Sequence, residues 1–306
     1  MQNDSLPSIS RRQFLRGAGG LTLAASLPGI ACQNLERAVQ TPDLQLSLAQ
    51  WSLHRALQGG ELDHLDFPRV ARRQFGIGAV EYVNSFFKDK AQQDSYLQVM
   101  RSKAEDEGVR SLLIMVDGEG NLGGQDAQRA IENHYKWIDA AAYLGCHSIR
   151  VNAGGGGTKA EVARRAADSL HTLAEYGAPM GISVIVENHG GYSSNGAWLA
   201  GVMVLADHPG VGTLPDFGNF RISAEETYDR YRGVRELMPF AKAVSAKSHE
   251  FDENGQEKHT DFKRMMDIVS ASGYRGYVGI EYEGSAHSEF EGIHKTGQLL
   301  RSLGVG

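Results

Sequence analysis

Eight short apolar runs recur along this chain, and their even spacing limits the folds open to it more than any other feature. They are Leu46–Trp51, Ala79–Val83, Ser111–Val116, Ser148–Asn152, Ile182–Val186, Val211–Asp216, Ala243–Lys247 and Tyr277–Glu281. Successive runs begin about 30 to 37 residues apart, room for one strand, one helix and two loops each time. Runs with little polar alternation are what parallel strands buried on both faces require. The segments between them carry helical periodicity. Gln128–Leu144 places Ala130, Ile131, Tyr135, Ile138, Ala141 and Ala142 on one stripe and stops at Gly145. Glu161–Tyr176 stops at Gly177, and Asp261–Ala271 ends before Ser272-Gly273. Eight such units predict an α/β fold, a (β/α)8 TIM barrel, as a single domain over residues 44–306. The Gly154–Gly157 run after the fourth strand reads as a flexible loop, with close approach to a ligand as the other reading.

The chain does not begin with the barrel. Ser10-Arg11-Arg12-Gln13-Phe14-Leu15-Arg16 precedes a small-residue apolar run from Gly17 to Ile30, the layout of a twin-arginine signal peptide over residues 1–31. The run is too short and too rich in Gly and Ala for a stable membrane span. Cleavage after the small residues Gly29 and Ala31 is one fate, and lipidation of Cys32 is the other; a lipid there is the one membrane attachment expected. Residues 32–43 read as a polar tether, and the expected location is periplasmic. Loss of the signal removes Arg11, Arg12, Arg16 and Asp4, which leaves a net charge of about −8 and argues against nucleic acid as a partner. Cys32 and Cys146 are the 2 cysteines, so a lipidated or tethered Cys32 leaves no disulfide.

In a barrel of this kind, chemistry sits at the C-terminal strand ends. Trp51 and His54 follow strand one; Glu81 and Asn84 belong to strand two; Arg150 and Asn152 to strand four; Glu187 and His189 to strand five. Asp216 and then Asn219 follow strand six, Ser245, Lys247 and His249 strand seven, and Glu281 strand eight. Three carboxylates converging on one mouth repel unless a cation neutralises them. Oxygen ligands, with or without one imidazole, suit a divalent ion such as Mn, Mg, Co or Zn. Pairing of the carboxylates with Lys247 and Arg150 is the alternative.

Five segments resemble the xylose-isomerase-like TIM barrels, the sugar isomerase/epimerase group: Val80–Val83, Ile185–Gly191, Leu214–Phe220, Ala246–Asp252 and Gly279–Gly284. The resemblance implies that Glu187, Asp216 and Glu281 are metal ligands and that Glu187 and Glu281 are the catalytic acid and base. It also implies a ligand His on strand seven, where this chain has Ser245; either His249, on the same alternating face, replaces it as a fourth metal ligand, or the site has three protein ligands and more water. Asn219 stands where relatives often carry His. Trp51, His54, Glu81, Asn152, His189, Asn219 and Lys247 are expected around the substrate.

The function expected is a divalent-metal-dependent isomerase or epimerase of a non-phosphorylated sugar, working by proton abstraction next to a carbonyl. A lyase that eliminates the substituent of a 3-keto-glycoside would use the same acid–base pair. A non-catalytic sugar-binding protein is the third reading. An abasic-site nuclease is disfavoured by acidity, by export and by the lack of further strand-end histidines.

Overall fold

The computed structural model describes residues 44–306. The predicted signal peptide, the tether and Cys32 lie outside the described residues. The strands are β1 (Leu44–Ala49), β2 (Ala79–Val83), β3 (Arg110–Met115), β4 (Ser148–Val151), β5 (Ser183–Glu187), β6 (Val211–Leu214), β7 (Val244–Ser248) and β8 (Gly276–Tyr282). All ladders are parallel, in the order β6-β5-β4-β3-β2-β1-β8-β7. The two end strands meet through isolated parallel bridges, Thr213 to Ala241 and Asp216 to Ser245, so the sheet curls into a nearly closed barrel. That seam makes Asp216 part of the sheet edge although β6 itself ends at Leu214.

Nine helices among the described residues wrap the outside, α1 (His54–Gln58), α2 (Phe67–Phe75), α3 (Asp94–Asp106), α4 (Ala127–Tyr143), α5 (Lys159–Gly177), α6 (Gly196–Ala206), α7 (Arg230–Leu237), α8 (Phe262–Ala271) and α9 (Glu289–Ser302). Two have full capping boxes, Thr158 with Glu161 ahead of α5 and Ser288 with Glu291 ahead of α9. Each box satisfies end N–H groups that would otherwise lack partners. None of these helices is long and apolar enough to cross a membrane.

The core has two parts. A large mantle lies between strands and helices, with Trp137, Tyr82, Tyr282 and Phe67 among its fully buried side chains. A smaller plug fills the barrel axis: Ala49, Val83, Leu113, Met115, Ile185, Leu214 and Ala243. Strands contacting both parts explain why the runs read as continuously apolar.

Within the glycine run after β4, Gly155 is packed against the loop after β3. A Cβ on Gly155 would collide with the backbone of Gly123 and Gly124, and one on Gly123 would lie 2.8 Å from the Ala153 carbonyl and 2.9 Å from that of Gly154. The loop after β3 and the loop after β4 therefore pack main chain against main chain, joined by the Gly123 N–H donating to the Gly154 carbonyl at 3.0 Å. Glycine is required there for close approach.

Candidate active site

The apolar runs of β5 and β8 carry Glu187 and Glu281 to the mouth, and the seam delivers Asp216 between them. One oxygen of each lies within 4.8 Å of the others, and all three carboxyl groups are buried. This is the one such group of potential metal-ligating side chains among the described residues.

The carboxylates are held from every side. Asp216 Oδ1 accepts the Gly218 and Asn219 backbone N–H groups, both at 2.7 Å. Asn188 grips the Asp216 main chain in both directions, accepting its N–H at 2.8 Å and donating to its carbonyl at 3.0 Å. Asn219 Nδ2 donates to Glu187 Oε1 at 2.9 Å. Ser245 Oγ lies 2.8 Å from Asp216 Oδ2 and 2.7 Å from Glu281 Oε2. A hydroxyl has one hydrogen to give, so one contact is a donation by Ser245 and the other needs a proton on the carboxyl group.

Two cations enclose the trio. Arg150 Nε lies 2.9 Å from Glu187 Oε2, but its N–H is not aimed at that oxygen, so the contact is ionic rather than a hydrogen bond. Arg150 Nη1 donates to Asp117 Oδ1 at 2.7 Å. Lys247 Nζ stands 3.7 Å from Glu281 Oε1, 3.4 Å from Glu283 Oε2 and 4.0 Å from Asp216 Oδ2, and donates to Asn219 Oδ1 at 3.3 Å. Burial pushes Glu187 and Asp216 up to about 7, against the pull of Arg150 and Lys247 respectively. Burial also acts upward on Glu281, but Lys247 and Ser245 outweigh it and hold its carboxyl below the usual range.

A divalent ion fits this donor set. Three buried carboxylates, with one oxygen each in mutual reach, are oxygen ligands of the kind Mn, Mg, Co or Zn accept. A cation would take over the neutralisation that retained protons otherwise provide.

His249 does not join the group. β7 ends at Ser248, and the chain then turns into a loop whose bridge pairs Phe251 with Glu257. His249 is half-buried there, with its N–H donated to Glu257 Oε1 at 3.2 Å and its ring 6.1 Å from that of His259. From β7 it is Ser245 and Lys247, not His249, that stand beside the carboxylates.

Glu81 is also elsewhere. It is 1% exposed and accepts the Ser47 hydroxyl at 2.6 Å, while its Oε2 has no hydrogen-bond partner among the described residues. It lies over Gly279, where any Cβ would strike it. The cavity it borders, about 220 Å³, is lined by His147, Lys242, Tyr274, Arg275 and Tyr277. These residues lie at or before the N-terminal ends of β4, β7 and β8, so Glu81 faces the barrel floor. Burial pushes its carboxyl up to about 7.

The remaining expected residues are at the mouth. Trp51 stacks on His54 at 4.8 Å and tilts against Phe86 at 6.1 Å. His54 Nδ1 sits 2.7 Å from the Trp51 carbonyl. His189 is exposed, near enough to Arg150, Lys247 and Asp117 to feel their charges. Asn152 Nδ2 donates to Asp117 Oδ1 at 2.8 Å. Asp117 is absent from the sequence reading, although it directly follows the apolar run of β3 and the strand-end rule applies to it. Arg150, assigned no role from sequence except as a neutralising charge, bridges it to Glu187.

The chain matches the family model "Xylose isomerase-like TIM barrel" over residues 68–303, and a twin-arginine translocation signal model over residues 8–28. Among solved structures it is similar to a sugar phosphate isomerase/epimerase from Parabacteroides distasonis, with 16% identity, a TM-score of 0.65, and coverage of 87% of this chain and 96% of that one. It is also similar to a 3-keto-D-glucoside 4-epimerase from E. coli, with 14% identity, a TM-score of 0.64, and coverage of 85% and 99%. Likeness at such identities shows the fold alone. A C-glycoside deglycosidase alpha subunit from Arthrobacter globiformis is 39% identical over 54 residues, 18% of this chain and only 15% of that relative's length. With the eight-stranded parallel barrel and a family match across most of its length, the chain belongs to the xylose isomerase-like TIM barrel family.

Proposed function

We propose that the protein is a divalent-metal-dependent isomerase or epimerase that moves a proton next to the carbonyl of a non-phosphorylated sugar. One observation carries this reading: Glu187, Asp216 and Glu281 reach a common buried point at the C-terminal mouth. Glu187, Asp216 and Glu281 would hold the ion. When bound, the ion supplies Lewis-acid stabilisation of negative charge on oxygen.

The chain's own residues do the rest. One of Glu187 and Glu281 removes the proton on the carbon next to the carbonyl, and the other delivers a proton to the resulting enediolate. Arg150 orients Glu187 through their ion pair, and Lys247 with Ser245 orients Glu281. Lys247 keeps positive charge beside the reacting oxygens. Trp51 and Phe86 form an apolar wall that limits water at the mouth.

A second reading is elimination from a 3-keto-glycoside, in which loss of the proton adjacent to the keto group expels the substituent on the neighbouring carbon. The partial match to a C-glycoside deglycosidase subunit favours it. Proton NMR in D2O with Mn(II), offering ketoses and methyl 3-keto-glucosides, tests both. Solvent deuterium at a carbon next to the carbonyl is expected. Inverted configuration identifies epimerisation, and a released methanol identifies elimination. No exchange with any of them overturns both readings.

The twin-arginine signal supports export by that route. We place the mature protein in the periplasm, with residues 44–306 as its one domain and Cys32 either left in the tether or lipidated as a membrane attachment. Arg11→Lys with Arg12→Lys should hold precursor in the cytoplasm, as fractionation and immunoblotting would show.

A further inference from the structure

At the mouth, the carboxylates and the cations that pair with them are nearly all hidden. Side-chain exposure is 2% for Glu187, 0% for Asp216, 5% for Glu281, 4% for Arg150 and 3% for Lys247. Glu283 is 28% exposed, and Asp117 more so, with 38% of its side chain exposed. Asp117 is nonetheless rigidly placed. Asn84 accepts its backbone N–H at 3.0 Å and donates to its carbonyl at 2.9 Å. Its Oδ1 is saturated by Arg150 Nη1 at 2.7 Å and Asn152 Nδ2 at 2.8 Å. Among the described residues its Oδ2 has only a long contact of 3.4 Å with Arg150 Nη2. A fixed carboxylate with one oxygen committed and the other open is a prepared acceptor for hydroxyl donors.

The charges at this mouth say which donors. Arg150 is spent on Asp117 and Glu187, and Lys247 lies among Asp216, Glu281 and Glu283. Neither cation is free for a substrate anion. Asp117 and Glu283 are the exposed carboxylates here, and a phosphate or carboxylate group brought against Asp117 would meet like charge.

We infer that Asp117 is a substrate-binding residue that accepts a hydroxyl of a neutral polyhydroxyl substrate through Oδ2, away from the reacting carbon, and so helps select unphosphorylated sugars. This rests on the proton-transfer reading of the same mouth. Asp117 is then a specificity determinant, not merely the anchor of Arg150.

The test is steady-state kinetics of the Mn(II)-loaded wild type, D117N and N152A with methyl 3-keto-β-D-glucopyranoside and its 4-deoxy and 6-deoxy analogues. D117N should raise KM by about 10- to 100-fold, the range for a lost hydrogen bond to a charged group, with kcat within about threefold. One deoxy analogue should be penalised in the wild type and penalised less in D117N, because the charged acceptor of the missing hydroxyl is then gone. N152A, which loosens the carboxylate without removing its charge, should give the same KM-selective signature at several-fold, and it carries the test if D117N does not fold. An unchanged KM with reduced kcat in both variants would make Asp117 a positioning residue acting through Arg150 and overturn the inference. Saturation-transfer NMR separates this from the reaction itself. If the wild type turns over none of the sugars yet binds one that D117N does not, the proton-transfer reading falls and the role of Asp117 stands. A wild type that neither binds nor converts any of them overturns both.

Discussion

The barrel interior carries buried carboxyl groups at both ends, and they are built differently. At the mouth, Glu187, Asp216 and Glu281 are enclosed by Arg150, Lys247, Ser245, Asn219 and backbone N–H groups. At the floor, Glu81 has the Ser47 hydroxyl on one oxygen and no hydrogen-bond partner among the described residues on the other. Burial acts on all four; charge partners and convergence distinguish them. The mouth gives its carboxyl groups cations, N–H donors and one another as neighbours, whereas the floor leaves one carboxyl with a single hydroxyl. A buried acid is therefore informative about chemistry when its neighbours favour ionisation and other donors share its focus.

The sharpest way to break this contrast is Asp216→Asn. It removes a ligand of the central group, and bound metal and turnover should fall together to background, read by metal analysis of the purified protein and by the NMR assay. A variant that keeps both would make the mouth as inert as the floor. Glu187→Gln and Glu281→Gln should each lower kcat by about 10²- to 10⁴-fold while retaining more metal than Asp216→Asn. Solvent exchange of the substrate proton divides them: the variant lacking the initial base shows none, and the other exchanges without completing turnover. Ser245→Ala removes the hydroxyl between Asp216 and Glu281 and should weaken metal binding by about tenfold, measured by competition with a fluorescent chelator.

The smallest effect on catalysis belongs to Glu81→Gln, which should leave kcat within about threefold. Its signature is stability against pH. The folded protein holds the Glu81 proton up to about 7, above the ordinary value of 4.5. The folded state then binds more protons than the unfolded chain between these values, so the Glu81 contribution is fully present below about 4.5 and is lost as pH rises towards 7. The amide of the Glu81→Gln variant stays neutral throughout. The advantage of that variant over wild type should grow from pH 5 to pH 8, to at most on the order of 3 kcal/mol, in urea titrations monitored by circular dichroism. Equal pH profiles for the two would mean that Glu81 is not a lone buried acid.

The barrel was legible in the sequence because strands buried on both faces must be apolar almost without interruption. The carboxylate trio was legible because each member lies at the end of such a run. Depth was not. Glu81 sits mid-strand, opposite Ala49 on β1 and Leu113 on β3, where the pairing with β3 shifts register. The stagger between strands decides whether such a residue belongs to mouth or floor, and no single strand encodes it. His249 misled for a different reason. Alternation along a strand holds only while the strand continues, and β7 stops one residue before it. Asp117 needed no depth information; it required only that β3 be read to its end like the others.

The glycine contact between the loops after β3 and β4 has a consequence for descent. Asp117 stands at the root of one loop and Asn152 at the root of the other, and Gly123 against Gly155 leaves no room for a side chain at either place. A lineage lengthening one loop would displace the second, so single insertions here should be purged and paired ones rare. The loops after β7 and β8 carry the same constraint, because a Cβ on Gly284 would strike the His249 carbonyl.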